Sequence, residues 1–151
     1  MSRVIISDAS CLIALDNIEH LELLHKVFRI VYTTEEVSLE FGKTLPEYIR
    51  ILPVENLEIK NELEKRLDAG EASTIALALE QEGSVLIIDE KKGRKIAKEY
   101  KLQIIGTFKV LLLAKEKGIL ESVKPLLLSL RNAGFRFSAS LIQAVLEEAE
   151  E

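Results

Sequence analysis

Short apolar runs alternating with longer amphipathic segments constrain this chain more than any other feature. Runs near Arg3–Ser7, Ile30–Tyr32, Ile51–Val54, Val85–Ile88 and Gln103–Ile105 read as strands. Helical patterns separate them, near Cys11–Leu15, Leu21–Phe28, Glu58–Leu67, Glu71–Glu82 and Lys91–Tyr100. A helix follows Thr107 and stops at Gly118, and two more are expected at Leu120–Asn132 and Ser138–Glu150, parted by Gly134. Strands alternating with helices are the pattern of an α/β domain with a parallel sheet. Thr33 and Glu36 have capping-box spacing ahead of a helix that Gly42-Lys43 ends. Pro53 suggests that its strand lies at a sheet edge, because proline cannot donate to a ladder. Asp68-Ala69-Gly70 reads as the break before the helix of Glu71.

The 151 residues fit one domain, residues 1–151. At 48% hydrophobic and only 5% aromatic, the core must be aliphatic. A net charge of −5 excludes a uniformly basic nucleic-acid binder, though not a local basic patch. Cys11 is the only cysteine, so no intrachain disulfide forms, and with only His20 and His25 a structural zinc site is not expected. Met1-Ser2-Arg3 leads straight into a strand-like run without a signal peptide, and no apolar stretch is long enough to cross a bilayer. A cytoplasmic protein with no membrane partner is therefore expected.

Four carboxylates carry the chemistry. Asp8 ends one apolar run and Asp89 another; Glu71 opens a helix, and Glu40 lies in Glu36-Val37-Ser38-Leu39-Glu40-Phe41. Ligands of open parallel sheets bind beyond the carboxyl ends of the strands, where Asp8 and Asp89 fall. Like charges gathered there need a cation to neutralise them. Oxygen donors suit Mg²⁺ or Mn²⁺, which bind phosphate oxygens. Such a metal lowers the pKa of a bound water and offsets charge on an attacked phosphate, and two metals roughly 3.5–4 Å apart could clamp both oxygens.

The arrangement resembles the PIN-domain ribonuclease family, and most closely its small prokaryotic branch of nucleic-acid-binding proteins related to type II toxin–antitoxin toxins. The segments that carry the resemblance are Ile6–Ile13, Glu36–Glu40, Gly70–Ala78, Leu86–Arg94, Ile105-Gly106-Thr107 and Ala133–Ser138. It implies a PIN-like three-layer α/β/α fold with a central mostly parallel sheet. It also implies Mg²⁺- or Mn²⁺-dependent cleavage of single-stranded RNA, with Asp8, Glu40, Glu71 and Asp89 as the acids that hold metal and catalyse. Ser10 and Thr107 match polar positions that support the site. Glu90 stands where the branch often has a second aspartate, and Lys109 where relatives often carry a small residue, so that it could touch RNA phosphate or partly fill the cleft. A homodimer and an antitoxin that blocks the cleft are further expectations from the resemblance.

Each acid taken alone has a plainer reading. Asp8 and Asp89 could be helix caps, Glu71 an acid favoured at a helix N-terminus, and Glu40 a surface glutamate. The four together favour a shared site. Arg94 is the best candidate for phosphate, since its planar fork suits that geometry, while Lys91, Lys92, Lys95 and Lys98 read rather as a solvated face. Phe135 and Phe137 could stack on bases, with core packing or an oligomer contact the plainer role. A nucleic-acid-binding or interaction module with weak or lost nuclease activity is the rival reading, since fold does not fix function.

Overall fold

A computed structural model describes residues 3–151; the opening Met1-Ser2 lies outside the described residues. The chain runs β1 (Ile5–Ser7), α1 (Ala9–Asn17), α2 (Leu23–Phe28), β2 (Val31–Thr33), α3 (Glu35–Phe41) and β3 (Ile49–Ile51). It continues with α4 (Leu57–Glu64), α5 (Ala69–Glu80), β4 (Val85–Ile87), α6 (Lys91–Glu99) and β5 (Gln103–Ile105). Three helices close it: α7 (Thr107–Glu116), α8 (Lys124–Asn132) and α9 (Ala139–Glu148).

The five strands form one sheet in the order β3-β2-β1-β4-β5, and every pairing is parallel. Side chains alternate strictly across it. Ile5, Val85 and Ile87 face one aliphatic cluster with α1, α2, α7 and α8, while Ile6, Leu86 and Ile88 face the other with α5 and α6. Period-two alternation with apolar residues on both faces requires a helical layer on each side. The result is the expected three-layer α/β/α fold.

The strand order places a switch point beside β1. The chain leaves β1 towards β2 and β3 on one side, then returns and leaves β4 towards β5 on the other. Between two such diverging connections, no loop covers the crevice at the strand ends. Ser7 pairs with Ile87 at that crevice, and the Asp8 amide donates to the Ile87 carbonyl at 3.1 Å.

Capping chemistry explains where several element boundaries depart from the sequence reading. The first helix starts at Ala9 rather than Cys11, because Asp8 caps it. Thr34, not Thr33, caps α3; Thr33 is a strand residue whose hydroxyl donates to the Ser7 carbonyl at 2.8 Å. The edge strand is Ile49–Ile51, so Pro53 follows it instead of lying inside it. The expected break at Asp68-Ala69-Gly70 is a helix start, since Asp68 caps α5 through the Glu71 amide at 2.8 Å. Among the described residues, no helix is long and apolar enough to cross a membrane.

Candidate active site

Asp8 and Asp89 stand on either side of the switch point. Asp8 is only 2% exposed, and its Oδ1 accepts the Cys11 amide at 3.4 Å. Asp89, two residues past the end of β4, is exposed. Its Oδ1 accepts the Thr107 amide at 2.8 Å and its Oδ2 the Thr107 hydroxyl at 2.5 Å. Asp8 is thus the N-cap of α1, while Gly106 is the N-cap residue of α7 and Asp89 accepts that helix's first amide from across the crevice. These bonds fix both carboxylates at the positive ends of those helices.

Glu71 reaches the same region from the first turn of α5, and Glu40 from the last turn of α3. Close backbone approach makes room for them. A Cβ on Gly70 would stand 3.0 Å from Glu40 Oε1. One on Gly93 would stand 3.0 Å from Glu71 Oε2 and 2.7 Å from Ile88 Cδ1. Glycine lets the carboxylates lie against the starts of α5 and α6.

Electrostatics show that these acids share one region. Burial pushes the Asp8 carboxyl well above the ordinary range, and Asp89, Glu71 and Glu40 each push it further. Burial, then Asp68 and Glu90, lift Glu71 from 4.5 to about 7. Burial, Asp68 and Glu90 also raise Glu40. A concentration of mutually repelling carboxylates costs stability and persists where a cation or a reaction requires it.

The donor set fits a hard divalent cation: every candidate ligand is a carboxylate oxygen, and Glu71 Oε2 is buried with no hydrogen-bond partner. The spacing is wider than a bound ion would draw it. Among the described residues, no three Asp, Glu, His or Cys side chains already stand close enough to hold a metal ion. Binding would bring at least one carboxylate inward, and exposed Glu40 and Glu90 have the freedom to move.

Beside the acids opens a cleft of about 720 Å³. Ser10, Asp89, Glu90, Arg94 and Thr107 line its inner end, and α7 and the loop between α8 and α9 form its walls. Arg94 does lie at this edge, with its Nη1 donating to the Ile88 carbonyl at 2.7 Å. Lys109 also lines the cleft, in a 3.6 Å pair with Glu148. Lys91, Lys92, Lys95 and Lys98 are exposed, as expected of a solvated face. Cys11 is fully buried, and burial raises its thiol pKa, the state of an inert packing residue.

Two features escaped the sequence reading. Asp68 is a further acid of the group; its position three residues before Glu71 was the available signal. Arg136 lines the cleft from the α8–α9 loop, a long-range placement that no local pattern marks.

The chain belongs to the PIN-domain family: the family model DUF3368, a PIN domain, matches residues 4–151. PIN domains are in general nucleases that use divalent metal ions. No curated protein and no solved structure matches the chain.

Proposed function

We propose that this protein is a metal-dependent endoribonuclease that hydrolyses phosphodiester bonds of single-stranded RNA. The observation that carries the reading is the convergence of Asp8, Glu40, Glu71 and Asp89 on the switch-point crevice, where three of them act together on the fourth. Asp8, Glu71 and Asp89 would hold Mg²⁺ or Mn²⁺, with Glu40 assisting directly or through water. A bound cation of this kind supplies a more acidic water and offsets charge on the phosphate.

The chain's own residues supply positioning. Thr107 fixes both oxygens of Asp89 and so sets the distance between β4 and α7 at the reacting centre. Ser10 lines the cleft and would orient a water or a phosphate oxygen. Arg94 of α6 and Lys109 of α7, both lining the cleft, would give the phosphate backbone cationic partners. Glu90 adds negative potential that strengthens cation binding at Glu71 and Glu40.

A long single-stranded RNA incubated with Mn²⁺, Mg²⁺ or EDTA tests the reading. Cutting with either metal and none with EDTA is expected; cutting that persists in EDTA would overturn it. The engagement of both Asp89 oxygens by Thr107 favours a second reading, an RNA-binding module with little hydrolysis. RNA binding and cleavage measured side by side in Mn²⁺ separate the two, since the second predicts RNA bound but left intact whatever the metal. A toxin role requires a partner that covers the cleft, and recovery of an inhibiting small protein encoded by a neighbouring gene would establish it.

A further inference from the structure

We infer that the cleft between α7 and the α8–α9 loop seats an unpaired nucleobase of the strand held at the acids, with Phe137 as its stacking platform. The inference rests on the nuclease reading for the position of the strand and adds the part of the molecule that grips it. The cleft is continuous with the acidic site, since Asp89 and Thr107 form its inner end. Its volume of about 720 Å³ falls within the range of roughly 300–1,000 Å³ usual for small-ligand pockets.

The lining departs from the rest of the interior. The core is aliphatic, yet Phe108, Phe135 and Phe137, three of the five phenylalanines in the chain, meet here. None of the three is fully buried. Phe137 packs edge-to-face on Phe108, with centroids 5.0 Å apart and planes at 86°, which fixes its ring. Exposed Arg136 adjoins it in sequence, and exposed Lys109 lies on the opposite wall. Aromatic rings beside the cations Lys109 and Arg136 form the pattern that takes single strands by stacking and backbone charge. A duplex hides its base faces and would not fit.

Charge also selects the occupant. Glu148 lies across the mouth in a 3.6 Å pair with Lys109, both side chains largely exposed. An incoming phosphate would compete with Glu148 for Lys109. Removal of the Glu148 charge should therefore tighten a polyanion, and should not tighten a basic or apolar peptide.

The chain has no tryptophan, so Phe137→Trp creates a single tryptophan reporter that can be excited apart from the three tyrosines. In an Asp8→Asn background, which keeps the strand whole, a short single-stranded RNA should quench its emission. An abasic ribose-phosphate chain of the same length should not. Phe137→Leu keeps apolar bulk without the ring, and should weaken RNA binding by about 5- to 150-fold while leaving the abasic chain unaffected. Glu148→Gln should tighten RNA. RNA that binds by anisotropy without quenching, or with equal affinity for Phe137→Leu, would overturn the inference, as would no RNA binding at all. Quenching by a peptide but not by RNA would assign the cleft to a protein partner instead. Cleavage by the otherwise unaltered Phe137→Leu variant with unchanged KM would sink this inference alone. Quenching without any metal-dependent cleavage by the wild type would sink the nuclease reading alone.

Discussion

Thr107 holds both oxygens of Asp89, the amide on Oδ1 at 2.8 Å and the hydroxyl on Oδ2 at 2.5 Å. One residue thereby ties the end of β4 to the start of α7 and sets the orientation of an acid of the proposed metal site. Thr107→Val keeps the shape and the amide bond but removes the hydroxyl. Loss of a hydrogen bond to a charged group costs about 1.5–3 kcal/mol, and loss of an outer partner of a metal ligand costs about 10- to 100-fold in metal affinity or activity. Denaturant titration and Mn²⁺ calorimetry on the variant should show both; unchanged metal affinity would mean that Asp89 needs no such orientation.

Asp8 is a source of instability when no cation is bound. Burial and three neighbouring acids raise its pKa, so the charged form is disfavoured in the folded chain. A raised folded pKa means that stability is highest below the unfolded value and declines as pH climbs through the folded one. For Glu71 that decline spans 4.5 to about 7. Asp8→Asn keeps a good helix cap and removes the charge. Its Tm without metal should exceed that of the wild type at mildly alkaline pH, and the gain should shrink towards acid. Mn²⁺ should raise the wild-type Tm more than that of the variant. A lower Tm for Asp8→Asn at alkaline pH would show that the carboxylates do not repel as argued.

Gly93→Ala pits two effects against each other. Alanine favours the helix by about 0.8–1 kcal/mol over glycine. Its Cβ would meet Ile88 Cδ1 at 2.7 Å and Glu71 Oε2 at 3.0 Å, and fully buried Ile88 has little room to yield. Overpacking of this kind costs about 1–3 kcal/mol, so net destabilisation is expected, with weakened metal binding as Glu71 is displaced. A stabilised variant with intact metal affinity would contradict the close approach.

Glu151 clamps the start of α8, accepting hydrogen bonds from Ser122 Oγ at 2.6 Å, Val123 N at 2.8 Å and Lys124 N at 3.0 Å, with Lys115 Nζ at 2.9 Å. Burial works against its charge, but these donors prevail and hold the carboxyl down at about 2. A depressed folded pKa gives stability that is present above 4.5 and lost as pH falls towards 2. Glu151→Ala should cost about 0.5–2 kcal/mol at neutral pH, the range of a lost helix cap, and the difference should vanish through that acid window. Urea midpoints measured across the window test it. A difference that stays constant with pH would assign the effect to packing rather than charge.

Much of the architecture was legible because strand and helix periodicities differ and both faces of the sheet are apolar. Asp8 and Asp89 were legible because each directly follows an apolar run. The misplaced boundaries share a cause: Thr33 and Thr34 both offer a capping hydroxyl, and only the register of β2 with β3 decides between them. Asp68 looked like a helix breaker because Gly70 follows it, whereas one glycine in a first turn is tolerated when a carboxylate caps the helix. The sequence offered Phe137 as a candidate for stacking but could not show which residues stand around it. Phe108 and Phe137 are 29 positions apart, and the packing of α9 on α7 is what joins them.

The most direct test of the central claim is cleavage of a single-stranded RNA by wild type and Asp8→Asn side by side in Mn²⁺, with circular dichroism on both. The shared acidic site predicts at least about 100-fold slower cutting by the variant, beyond what loss of an outer partner costs, with the fold intact. Equal cutting by a folded Asp8→Asn protein would contradict it.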